Sequence, residues 1–136
     1  MELLVVMAII VILAGMAVGG AQMARKRGAV TKAQATIAAL EAAIDMYDMD
    51  IGEYPDAGNE NLVQALSDTS NPDPDWDGPY MKLREQDLVD GEFVDPWGNP
   101  YVYINPGTHN LSSYDIYSYG LNGQDEQGAG DDVNNW

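Results

Sequence analysis

Cysteine is absent from the 136 residues, which excludes thiol catalysis, thiolate metal sites and disulfide staples. Histidine occurs once, at His109 beside turn residues, where a solvated loop histidine is a far commoner role than a catalytic base. Ser112 and Ser113 lack a nucleophile motif of the G-x-S-x-G kind, and no carboxylate pair stands out as an acid–base couple, so the chain reads as a non-enzyme. Positive charge is scarce: 6 Lys and Arg stand against 22 Asp and Glu, for a net charge of −16. The imbalance is uneven. Arg25, Lys26, Arg27 and Lys32 lie in the first 50 residues, whereas only Lys82 and Arg84 follow, against 17 acids. Such an acidic domain repels nucleic acid, which excludes it as a partner, and it suits cations. A folded part of roughly a hundred residues would gain from a clamp, and outside the cytoplasm without disulfides a bound ion is the candidate.

What the sequence does have is a long apolar start. Leu3 to Ala24 runs 22 residues without a charge and is stopped by Arg25-Lys26-Arg27. As a helix it would span about 33 Å, close to the ~30 Å hydrocarbon core of a bilayer. A secretory signal would be shorter, follow a basic region and end in a small-residue cleavage site. The segment 1–24 therefore reads as a retained helix for membrane or filament core. Ile37, Leu40, Ile44, Tyr47 and Ile51 continue at helical spacing, alanines are frequent, and no proline occurs before Pro55. One helix is predicted from near Glu2 to about Asp50, apolar on all sides in its first half and striped in its second, the amphipathic continuation 25–50. Its first half must be buried in lipid or in other copies of itself. Glu2, a carboxylate in apolar surroundings, calls for a partner or for headgroup water beside the chain end.

Residues 51–136 form the globular part. Gly52 can end the long helix and Pro55 blocks its resumption. Asn61–Leu66 is predicted as a short second helix, facing the core with Leu62, Val63 and Leu66. Residues 67–79 form a Pro- and Asp-rich loop anchored by Trp76 and Tyr80. Strands are predicted at Glu92–Val94, Tyr101–Asn105 and Tyr114–Tyr119, with Asp95–Pro100 as a rigid turn. The fold class is α+β: one long helix packed by a small antiparallel sheet of about three strands.

The start Glu2-Leu-Leu-Val-Val with its amphipathic continuation resembles the N-terminal helix of the type IV pilin-like superfamily. Gly52-Glu-Tyr-Pro55, Gly78-Pro-Tyr80, Asp95-Pro-Trp-Gly-Asn-Pro-Tyr101, Tyr114-Asp-Ile-Tyr-Ser-Tyr-Gly120 and Asp131-Asp-Val-Asn-Asn-Trp136 sharpen it. In that order they resemble the major pseudopilins of type II secretion, over nearly the whole chain. The resemblance implies a subunit stored in the bacterial inner membrane with residues 25–136 in the periplasm. It implies polymerisation with other copies and other pseudopilins on an inner-membrane secretion platform, into a filament that exports folded proteins. Glu2 matches the family glutamate, which pairs with a neighbour's N-terminal amine during assembly. The family's leader is not seen before Glu2, where Met1 stands, as expected of a late gene start or a trimmed chain. A surface pilin for adhesion or DNA uptake and a membrane-tethered binding module are the alternatives.

The candidate site is the loop from Tyr119 to Trp136. It gathers hard oxygen ligands among glycines and offers neither His nor Cys. Calcium takes 6–8 such oxygens in a flexible loop, whereas zinc wants nitrogen or sulfur and magnesium a stricter octahedron. A solvated acidic turn is the plainer reading, and the loop does not match the EF-hand pattern. The resemblance implies a calcium site, with side-chain oxygens from Asn122, Asp131 and Asp132 and backbone carbonyls from Tyr119 and Gln124. Asn122 replaces a family aspartate, a lost charge that Asp125 or Glu126 could restore.

Overall fold

The computed structural model describes residues 2–136, except for the side chains of residues 2 and 17–20. One helix, α1, runs unbroken over Glu2–Ile51, about 75 Å at the usual rise. It ends where the sequence predicts: Gly52 takes φ +86°, and its N–H donates to the Asp48 carbonyl at 2.8 Å. The rod has two different surfaces. The large apolar side chains from Leu3 to Met16 are 51–74% exposed, while Ala33, Ile37, Leu40, Ala43 and Ile44 are buried. The stripe that docks the rod is thus the predicted one, with alanines at 33 and 43 letting the head approach closely.

The second helix, α2, spans Asn59–Ser67 and buries Leu62 and Leu66. Asn59 opens it as a buried polar staple. Its Oδ1 accepts the Phe93 N–H at 2.6 Å, and its Nδ2 donates to the Phe93 and Tyr101 carbonyls at 2.8 and 2.7 Å. The Pro- and Asp-rich loop is anchored as expected: Trp76 Nε1 donates to the Ala65 carbonyl at 2.8 Å, and Tyr80 donates to Asp50 Oδ2 at 2.8 Å.

Five strands follow among the described residues, in two antiparallel sheets. β1 (Leu88–Val89) and β2 (Glu92–Phe93) form a hairpin on an Asp90-Gly91 turn in which both residues have positive φ. The larger sheet has the order β3 (Val102–Ile104), β4 (Asp115–Ser118), β5 (Val133–Asn134). The α+β class and a three-stranded sheet on a long helix therefore stand, with one strand exchanged. The segment predicted at Glu92–Val94 pairs with β1 and meets the residues just before β3 through a bridge at Val94–Pro100 and the Tyr101 N–H donating to the Phe93 carbonyl at 2.9 Å; the third strand of the sheet comes from the C-terminal tail. The free edge of β4 is taken by the tail, where the Asn135 N–H donates to the Ile116 carbonyl at 3.2 Å and Asn135 Oδ1 accepts the Ile116 N–H at 3.0 Å. Asp95 fixes the turn before β3, accepting the Trp97 and Asn99 N–H groups on Oδ1, each at 2.9 Å. Its Oδ2 accepts the Ser118 hydroxyl at 2.5 Å, which ties the turn to the end of β4.

The core lies between α1, α2 and the larger sheet, where Tyr101, Tyr103, Tyr114 and Ile116 meet the helix stripe. Asn135 closes the stack: its Oδ1 accepts the Ile116 N–H at 3.0 Å and its Nδ2 reaches Glu41 Oε1 on α1 at 3.2 Å.

Candidate functional site

The C-terminal loop is held at both ends by the sheet. Tyr117 pairs with Asn134 and Ser118 with Val133, so the chain between β4 and β5 must return on itself. Gly120 makes this possible. Its φ is +64°, and a Cβ there would run into the Asp131 carbonyl oxygen.

Within the loop, side-chain oxygens turn inward onto backbone N–H groups. Asp131 Oδ2 accepts the Asn122 N–H at 3.0 Å, and Asn122 Oδ1 accepts the Gln124 N–H at 2.7 Å. Glu126 Oε2 bridges the two, taking the Asn122 amide at 3.2 Å and the Asp131 N–H at 3.1 Å. Asp132 Oδ2 accepts from Glu126 and Gly128 at 3.1 and 2.9 Å, whereas its buried Oδ1 has no hydrogen-bond partner. The Tyr119 and Gln124 carbonyls accept no backbone hydrogen bond outside helices and strands among the described residues.

The structure thus brings Asn122, Glu126, Asp131 and Asp132 into one hydrogen-bonded group. Of the two carboxylates that the sequence leaves open, Glu126 joins it. Asp125 turns back toward β4, accepting the Gln127 N–H at 2.9 Å and the Tyr117 hydroxyl at 3.2 Å on Oδ1. Burial, reinforced by Asp125, pushes the Tyr117 hydroxyl above its ordinary pKa, so Tyr117 stays a neutral donor to that carboxylate. No three Asp, Glu, His or Cys side chains among the described residues stand together as a metal cluster. The donor set is nevertheless of the kind a hard cation uses: oxygens only, one carboxylate oxygen buried without a partner, and two free carbonyls. The assembly role expected of Glu2 concerns a side chain outside the described residues.

A second constellation escaped the sequence reading. Asp115 on β4 is fully buried, with four hydrogen bonds from the loop before it. Its Oδ2 accepts the Thr108 N–H, the His109 N–H and the Thr108 hydroxyl at 2.6, 2.8 and 2.9 Å; its Oδ1 accepts the Asn110 N–H at 2.8 Å. Burial alone would raise its pKa, but these donors outweigh burial and hold it at about 2. His109 continues the cluster outward, stacking on Trp136 with centroids 4.1 Å apart. The signal in the sequence is Gly-Thr-His-Asn ahead of an aspartate inside an aromatic strand.

The comparisons agree with this architecture. The family model described as type II secretion system (T2SS), protein G, matches residues 22–136. Type II secretion system core protein G of Aeromonas hydrophila is 37% identical over 138 residues, covering 100% of this chain and 88% of that protein. The same protein of Pseudomonas aeruginosa is 39% identical over 141 residues, covering 99% and 90%. Among solved structures, the major pseudopilin from the type 2 secretion system of enterohaemorrhagic Escherichia coli shares 28% identity and a TM-score of 0.54 over 85% of this chain and 92% of that one. A half-bare rod, a head docked on its other half and matches of this length lead to one conclusion: the chain belongs to the type II secretion system protein G family, the major pseudopilins, and is a structural subunit.

Proposed function

We propose that this subunit waits in the bacterial inner membrane with its head in the periplasm, then polymerises through α1 into a pseudopilus that drives export of folded proteins. The observation that carries the reading is the bare rod. Side chains such as Leu4, Ile10 and Leu13 are 71, 59 and 59% exposed on the isolated subunit, a surface that water does not tolerate over such a length. Helix α1 is long and apolar enough to cross a membrane, and every side chain from Leu3 to Met16 is exposed. Lipid covers the rod before assembly, and sibling rods cover it afterwards. Other pseudopilins and the secretion platform are the partners that such assembly implies.

The test separates rod from head. Ile9→Lys puts a cation into the bare face, far from the buried core, which begins at Ala33. It is expected to abolish filaments and export, by electron microscopy and a secretion assay, while the melt of the head, followed in the full-length chain, stays within about 1 °C. Filaments of normal length from the variant would sink the reading.

Calcium, in this proposal, stabilises the head by joining β4 to β5 through the loop. Asn122, Asp131, Asp132 and Glu126 would hold it, with the Tyr119 and Gln124 carbonyls, and the ion would supply a charge for the unpartnered Asp132 Oδ1. A cation at about 100 times its dissociation constant stabilises by roughly 2.7 kcal/mol. For residues 26–136 this raises the melting temperature by about 10 °C or more. Magnesium is expected to give much less, and Asp132→Ala to abolish the rise. An equal melt in calcium and chelator rejects the ion without touching the filament.

A further inference from the structure

The fold collects the chain's scarce cations at one place. Arg25, Lys26, Arg27 and Lys32 lie where the bare half of α1 gives way to the docked half, and all four are exposed. Lys82 and Arg84, 50 and more residues later, return to the same level: they line one groove with Lys32, Thr36, Asp87 and Phe93. Local alternation sets their direction. Met81 and Leu83 pack against the core, which leaves Lys82 and Arg84 exposed between and beyond them. Arg84 is partly answered by Asp87, Nε to Oδ2 at 2.9 Å, so the groove carries three cations to one carboxylate. Glu85, also exposed, is the next acid along the chain.

The height of this collar decides what it meets. Lys32 is eight residues beyond Ala24, about 12 Å along the helix. A headgroup layer adds roughly 5–8 Å to each face of the hydrocarbon. The collar therefore stands within the ~8 Å Debye length of the headgroups at physiological ionic strength. The rest of the head is strongly acidic and would be repelled by an anionic leaflet, so the same field that attracts the collar turns the acids away.

We propose that Lys32, Lys82 and Arg84, with the Arg25–Arg27 triplet, seat the head of the unassembled subunit on anionic phospholipid headgroups. This rests on the reading that α1 spans a bilayer before assembly. A basic residue near an anionic surface is worth about fivefold in affinity. Losing Lys82 and Arg84 together should then lower the ratio of seated to free heads by at least about fivefold and at most about 25-fold, since Asp87 already answers part of the Arg84 charge.

The chain's lack of cysteine allows a unique label at Gln86→Cys, an exposed position beside the collar. The full chain is reconstituted into vesicles of phosphatidylcholine, or of phosphatidylcholine with about a third phosphatidylglycerol. Energy transfer from the label to a headgroup-labelled lipid is then measured. Transfer is expected to be higher in the anionic vesicles, and to fall to the neutral level in Lys82→Gln with Arg84→Gln or at high salt. Unchanged melting of that variant excludes misfolding. Equal transfer in both vesicle types overturns the seat, as does a lipid-dependent signal that survives the double substitution. A signal that follows protein density instead of lipid charge overturns it in favour of a second copy's acidic head. Failure of the chain to float with either vesicle removes the membrane reading, and the seat with it.

Discussion

Asp115→Asn is expected to lower the melting temperature of the head by roughly 15 °C, a loss of about 3 kcal/mol. The variant keeps shape and volume, so packing does not account for the loss. Hydrogen bonding does. The four donors around Asp115 all require an acceptor, and an amide can offer one oxygen and must aim its NH2 at another donor. The bonds that survive also lose the assistance of a full negative charge. The pH dependence gives the sign. Because the folded-state pKa lies at about 2, below the ordinary 3.8, the natural protein's extra stability is present above about pH 4. It amounts to about 2 kcal/mol and is lost as pH falls from about 4 through 2. The gap between natural protein and variant should therefore narrow over that window in acid titrations. A variant that melts within about 4 °C of the natural protein, with an unchanged acid limb, would show that Asp115 is dispensable.

Gly120→Ala is expected to be comparably severe, at about 3 kcal/mol, and to abolish any calcium-dependent rise in melting temperature. About 1 kcal/mol of this is the cost of a side chain at φ +64°. The remainder comes from displacing backbone, since the new Cβ would meet the Asp131 carbonyl oxygen, with its carbonyl carbon 2.7 Å away and Asp131 Oδ2 at 3.0 Å. Gly123→Ala is the matched control. Its φ is +66°, but the nearest atom to a Cβ is Asn99 Oδ1 at 3.3 Å, on a side chain that can give way. The control should lose only about 1 kcal/mol and keep its response to calcium. Equal losses in the two variants, measured by denaturant melts, would refute the close approach at Gly120.

The rod was legible because its signals are local. Without proline before Pro55, with alanines throughout and Gly52 as a stop, the helix has no other place to end, and Ile37, Leu40 and Ile44 announce the docked face. The sheet was less legible. The β1–β2 hairpin carries an Asp-Gly turn signal, but each strand is two residues long, too short to show alternation. Strand β4 hides its polar members for the opposite reason: all four of its positions are buried, so period two gives no hint that Asp115 and Ser118, on opposite faces, are both enclosed. Strand β5 lies within the motif that reads as a cation loop, and its pairing is decided by long-range contacts with β4 and α1. In the candidate site, composition located the loop and its oxygens. Telling Glu126 from Asp125 required the folded loop: Asp125 Oδ1 faces the Gln127 N–H and the Tyr117 hydroxyl, whereas Glu126 Oε2 faces Asn122 and Asp131.

The bare half of α1 also bears on how far assembly can run in reverse. For a subunit anchored by this rod, leaving the bilayer for a bundle exchanges hydrocarbon for hydrocarbon. Hydrophobic transfer then nearly cancels, and what remains is the fit between rods and the contacts between heads. A filament built on such a small difference has no deep well at its base. On the proposed assembly, then, the membrane would set little of the filament's stability, and substitutions in the rod-to-rod fit would change it more than changes in the bilayer.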